Sequence, residues 1–159
     1  MGEPSVNISD MIRTEFINLL KSDSWLSTQF TRNGSAYIYE EPFETVTISN
    51  YPACSLFDST EINFDTTGNF YEYATETFIC QVAAEKAYWK DARNVVSKLI
   101  LAVRDKLRSY TSVNALVNAI TKMNIVAVRP LGAIKSNNNL WAYAAEIEFS
   151  VTYTEGYTI

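Results

Sequence analysis

Residues 141–154 read WAYAAEIEFSVTYT. Tyr143, Ala145, Ile147, Phe149, Val151 and Tyr153 fall on one side of a two-residue repeat, and Ala144, Glu146, Glu148, Ser150 and Thr152 fall on the other. An apolar row backed by a polar one describes a strand with one face on a core and one on water or a polar surface. Just upstream, Met123 to Arg129 is a second strand ended by Pro130-Leu131-Gly132, and Asn137-Asn138-Asn139 is the turn that makes the pair antiparallel. Before it, Thr111-Ser112 caps a short helical segment carrying Val113, Leu116, Val117 and Ile120.

The next element outward is the strongest helix of the chain. Ala92, Val95, Val96, Leu99, Ile100, Val103 and Leu107 recur at spacings of three and four and make one apolar stripe. Lys90, Arg93, Lys98, Lys106 and Arg108 take much of the remaining surface, with Asp91 and Arg108 placed as the helix dipole favours. Glu76 to Ala84 is a strand with small or apolar residues on both faces, which suits a central position. Ala53 to Phe57 enters the core, and Ala36–Tyr39 and Thr45–Ile48 are short strand candidates. Ile12, Phe16, Leu19 and Leu20 define an N-terminal helix stopped at Ser22-Asp23-Ser24. The order predicts an α+β fold: one twisted, mostly antiparallel sheet with a long helix and shorter helices on one face. Residues 1–159 are expected to form a single domain with a projecting aromatic loop around 58–73, either a long hairpin or an excursion.

The composition excludes several kinds of chemistry. The chain has no His, which removes the usual general base, Ser-His-Asp and Cys-His nucleophiles, and imidazole metal ligands. Five Gly, none in a phosphate-binding spacing, argue against a nucleotide cradle. Cys54 and Cys80 fall inside strands and read as buried thiols. No stretch approaches the ~20 apolar residues of a membrane span, and the first residues lack the pattern of a signal peptide. Glu146 and Glu148 share a strand face roughly 6–7 Å apart, a spacing open to an acid/base pair or a hard cation, but an exposed polar face explains them with no further catalytic group in sight. The expectation is a protein that is not an enzyme and carries no cofactor or metal.

The charge is uneven. Residues 1–89 hold a balance of −9 and residues 90–159 a balance of +4. Such an asymmetry suits head-to-tail packing of identical subunits, and equally a basic helix opposite an acidic loop within one fold.

Placed in order, these segments resemble a known layout. It runs from a short helix to a strand around Pro52-Ala-Cys-Ser-Leu-Phe57, an aromatic loop and a strand like Glu76–Ala84. A long helix then opens Lys90-Asp-Ala-Arg-Asn-Val-Val96, and strands follow near Ile125–Pro130 and Ala145–Thr154. The layout is similar to that of tail-terminator (tail-completion) subunits of long-tailed bacteriophages and related tail-like particles. The resemblance implies a structural virion protein that caps the tail tube as a ring, with a hexamer expected, ends tail growth and offers a head-joining surface. Its partners would be itself, the tail tube protein and a head-side connector, with DNA only in transit and no membrane. It would work in the host cytoplasm during assembly and in the tail or neck of the mature particle. Ile62, Phe64, Phe70, Tyr71 and Tyr73 are then interface candidates, and Glu146 and Glu148 candidates for the channel lining, where acid discourages a polyanion from sticking. The aromatic stretch Asp58–Tyr73 and the Tyr-rich tail Glu155–Ile159 depart from the layout. Alternatives are another head–tail connector (adaptor or stopper), or a ferredoxin-like domain binding a small ligand in a sheet–helix cleft.

Overall fold

A computed structural model describes residues 8–67, 71–110, 120–135 and 139–156. Helix α1 spans Ile8–Ser22, and Asp23 then caps α2, Ser24–Gln29, accepting from the Trp25 and Leu26 amides at 3.0 and 2.9 Å. A two-residue hairpin, β1 (Thr31–Arg32) and β2 (Ser35–Ala36), turns on Asn33-Gly34. Both turn residues have positive φ, the conformation that Asn-Gly supplies in tight hairpins.

The main sheet holds β3 (Ala53–Thr67), β4 (Tyr71–Lys86), β5 (Ile120–Lys135) and β6 (Trp141–Gly156), in the order β3-β4-β6-β5. Every ladder in it is antiparallel. Helix α3, Trp89–Arg108, leaves β4 and lies across the sheet. β4 and β5 therefore run in the same direction with one slot between them, and β6 fills it. The fold is α+β, as the alternation of residues 141–154 and the stripe of α3 predict.

The core lies between one sheet face and the helices. β6 contributes Ala145, Ile147, Phe149, Val151 and Tyr153, all buried, and β4 contributes Ala74, Phe78, Cys80, Val82 and Ala84. From α3 come Ala92, Val96, Leu99, Ile100, Val103 and Leu107, and from α1 Ile12, Phe16, Ile17 and Leu20. Phe149 is the meeting point, with its ring centroid 5.1 Å from Phe16 and 5.6 Å from Phe78.

Several local expectations change. β5 does not stop at Arg129 but continues to Lys135, with register shifts at Ile120/Lys122, Ile125/Ala127 and Pro130/Gly132. Pro130 is tolerated because β5 is an edge strand and the bulge beside Gly132 (φ +95) absorbs the missing amide. Ile120 belongs to β5, while the rest of the segment expected to be helical, 111–119, lies outside the described residues, as do 136–138 of the Asn turn. Thr45–Ile48 is not a strand: Phe43–Thr45 forms a 3₁₀ turn and the chain runs on without a ladder. Ala36–Tyr39 yields only β2 and a single parallel bridge from Tyr39 to Ser55.

Phe149→Ala removes a ring from the junction of three elements. It should destabilise the fold by about 3–5 kcal/mol, read by chemical denaturation, whereas Phe149→Leu should lose clearly less.

Candidate interaction surface

The second face of the sheet is built from the residues that alternate with the core. Cross-strand partners give its rows: Ser55, Gln81, Glu146 and Arg129 in one, and Phe57, Ile79, Glu148 and Ala127 in the next. A strap, residues 37–52, covers part of this face. Tyr39 starts it by pairing with the edge of β3, its amide donating to the Cys54 carbonyl at 2.9 Å and its carbonyl accepting from the Leu56 amide at 2.8 Å. The Ser55 hydroxyl donates to the Glu41 carbonyl. Gln81, nearly buried, accepts from the Phe43 amide at 3.0 Å and pins the strap across β4. These contacts satisfy polar groups that would otherwise be buried without partners.

Between the strap and the far end of β5 lies an open groove of about 560 Å³, walled by Phe43, Val46, Ile48, Tyr51, Leu131 and Ile134 and floored by Ala83, Ala144 and Glu146. Its polar groups are few: Glu44, Gln81 and Glu146. The groove has the size and lining of a small-ligand site, but it opens on the face away from the helices.

Glu146 and Glu148 do lie on this second face, away from the helical core. They are not alone there. Arg129 reaches both, at 3.7 Å to Glu146 and 3.4 Å to Glu148, so one cation sits between two acids. The partly exposed pairing is worth little in stability, about 0–1 kcal/mol, but it cuts the acidity of the patch from two charges to one. Arg129 was read only as the last residue of a strand; its role depends on a register that no single strand reveals.

The aromatic stretch is paired strand. Ile62 and Phe64 belong to β3, and Tyr71 and Tyr73 to β4, with Phe64 opposite Ala74, Asp65 opposite Tyr73 and Thr67 opposite Tyr71. β4 pairs with β6 along the same stretch as far as Tyr71 opposite Gly156. These residues therefore extend the sheet as three strands; Phe70 lies outside the described residues.

Sequence reasoning missed a charged cluster at the base of this extension. Glu76 stands in the core-facing row of β4 between Ala74 and Phe78 and is fully buried. Ser9 of α1 donates to its Oε2 at 2.8 Å, while Oε1 is buried with no partner among the described residues. Arg13, one turn along α1, binds Asp58 of β3 at 2.6 Å, Glu40 of the strap at 3.2 Å, and Asp10. One arginine thus ties α1 to both the strap and the β3 edge. Burial pushes the Glu76 carboxyl above its usual range, with Asp58 and Asp10 adding to the rise and the Ser9 hydrogen bond and Arg13 opposing it.

The two cysteines are thiols, with sulfurs 3.6 Å apart and both fully buried. Burial pushes the Cys54 thiol well up, which keeps it in the unreactive form. No group of three or more potential metal ligands exists among the described residues, and no described helix is long and apolar enough to cross a membrane.

No protein-family model matches this chain. No curated protein matches it either. A solved structure described as "Virion of native gene transfer agent (GTA) particle" is similar at a TM-score of 0.48 and 15% identity, over 91% of this chain and 95% of that one. Similarity at that level does not assign a function.

The raised carboxyl makes a signed prediction. A carboxyl whose folded value lies above its unfolded value of about 4.3 binds more protons when folded, so ionising it costs stability as pH rises through that interval. Glu76→Gln should therefore gain thermal stability over the parent at pH 8 and lose that advantage at pH 4. An equal offset at both values would show that Glu76 is held charged.

Proposed function

We propose that this chain is a single-domain, non-enzymatic assembly subunit of a phage-like particle, a tail terminator that caps the tail tube as a ring. The observation that supports assembly most directly is the outer edge of β5. Among the described residues no strand pairs with it, and Val126, Val128, Leu131 and Ile134 are 54, 44, 48 and 72% exposed along it. A long edge strand carrying apolar side chains is a template for another chain and is normally covered. The order of elements, which resembles that of tail terminators, supports the particular role. In that role the ring ends tube growth, meets a head-side connector, and lets DNA pass through its centre.

The Glu146–Arg129–Glu148 row would line the channel, with one residual negative charge per subunit to discourage the polyanion from sticking. Ile62, Phe64, Phe70, Tyr71 and Tyr73 would supply contacts to the neighbouring tail or connector protein from the extended end of the sheet. Another head–tail joining role, adaptor or stopper, fits the same surfaces.

The groove favours a second reading, a domain that holds a small apolar ligand between strap and sheet. Oligomeric state separates the two. Native mass and negative-stain imaging across a concentration series should show a closed ring with an open centre, with six copies expected. A monomer or two-fold dimer that gains thermal stability from small apolar ligands would support the ligand-binding reading instead.

A further inference from the structure

The sheet treats its two edges differently, and the difference has a charge as well as a shape. The β3 edge is bridged by Tyr39, and the strap that follows carries Glu40, Glu41 and Glu44, all exposed, with no basic residue between 37 and 52. The β5 edge, on the far side of three strand spacings or about 14 Å, carries Lys122, Arg129 and Lys135, all exposed, with no acidic residue between 120 and 135. One edge is acidic and closed; the other is basic, apolar and open.

We infer that the open β5 edge of one copy docks on the acidic strap, residues 39–44, of a second copy of this chain. This contact rests on the ring reading and names the surfaces that make it. The match is heterologous: the basic edge meets the acidic strap, so each copy keeps one free edge for the next, and the contact repeats until it closes. Unpaired main-chain groups of β5 supply hydrogen bonds, and Val128 and Leu131 supply apolar area that becomes covered. Joined in this way, the sheets run around the circumference. Their helical faces all look to one side and the Glu146–Arg129–Glu148 rows all look to the other. The charges set register and speed encounter, so the contact weakens as salt is raised.

Lys122, Lys135, Glu41 and Glu44 form no salt bridge with one another or elsewhere among the described residues, so reversing them tests the contact without dismantling a pair. The experiment is sedimentation velocity of the full chain over a micromolar series at low and high salt. K122E/K135E alone, and E41K/E44K alone, should each weaken self-association by about tenfold or more. Mixing the two variants in equal amounts should restore it, because each then offers the edge that the other lacks. The four-fold variant should also self-associate, which shows that the altered chains fold. Self-association that ignores all four changes would overturn this contact and leave the ring reading standing on other surfaces. A parent chain that stays monomeric throughout at low salt would also overturn it. A parent that forms only a two-fold dimer would count against the ring reading itself.

Discussion

Phe149 sits at the middle of β6 with Phe78 of β4 on one side and Phe16 of α1 on the other. β6 is the only strand with a neighbour on each side drawn from different halves of the chain, since it pairs β4 from before the long helix and β5 from after it. The apolar row of β6 must therefore fit a floor set by α1 and α3 while both its backbone edges are already committed. That double requirement explains why residues 141–154 alternate so cleanly. A one-residue slip would send Glu146 and Glu148 into the core and Phe149 out of it.

With the core consumed on one face, the remaining surfaces are free for association. The strap closes one edge of the sheet through Tyr39 and covers part of the second face through Gln81, and Arg13 locks its start to α1. Nothing comparable among the described residues closes β5. The molecule thus commits many specific polar contacts to one side and leaves a bulged, apolar, basic strand on the other. This asymmetry is what an assembling subunit requires and what a stand-alone ligand-binding domain would be expected to avoid.

Long periodic elements were legible in the sequence, and features that depend on register were not. The stripe of α3 and the alternation of β6 follow from spacing alone, and the buried thiols follow from Cys54 and Cys80 lying in strands. Thr45–Ile48 has the β-branched pattern of a strand, yet the β3 edge it would need is already taken by Tyr39, so propensity loses to topology. Pro130 reads as a stop, but an edge strand can carry it on a bulge. Arg129 gained its meaning only from lying opposite Glu146. Glu76 was legible in principle: the row Ala74, Glu76, Phe78, Cys80 puts a carboxylate on an apolar face. Only the contact with Ser9, brought by the distant α1, shows how it is held.

The slot between β4 and β5 has a consequence for synthesis. Its occupant, β6, follows every other strand in chain order, so a ribosome-bound chain that has not yet emitted Trp141 holds α3 over an incomplete floor. Such a chain exposes one side of β4 and both sides of β5, together with the apolar stripe that Ile147, Phe149 and Val151 will later cover. The core closes in a single late step, and until then the nascent molecule presents three unsatisfied strand edges to its surroundings. A protein built this way depends on its chain being finished before it meets its neighbours, and an interrupted product would be sticky rather than merely inactive.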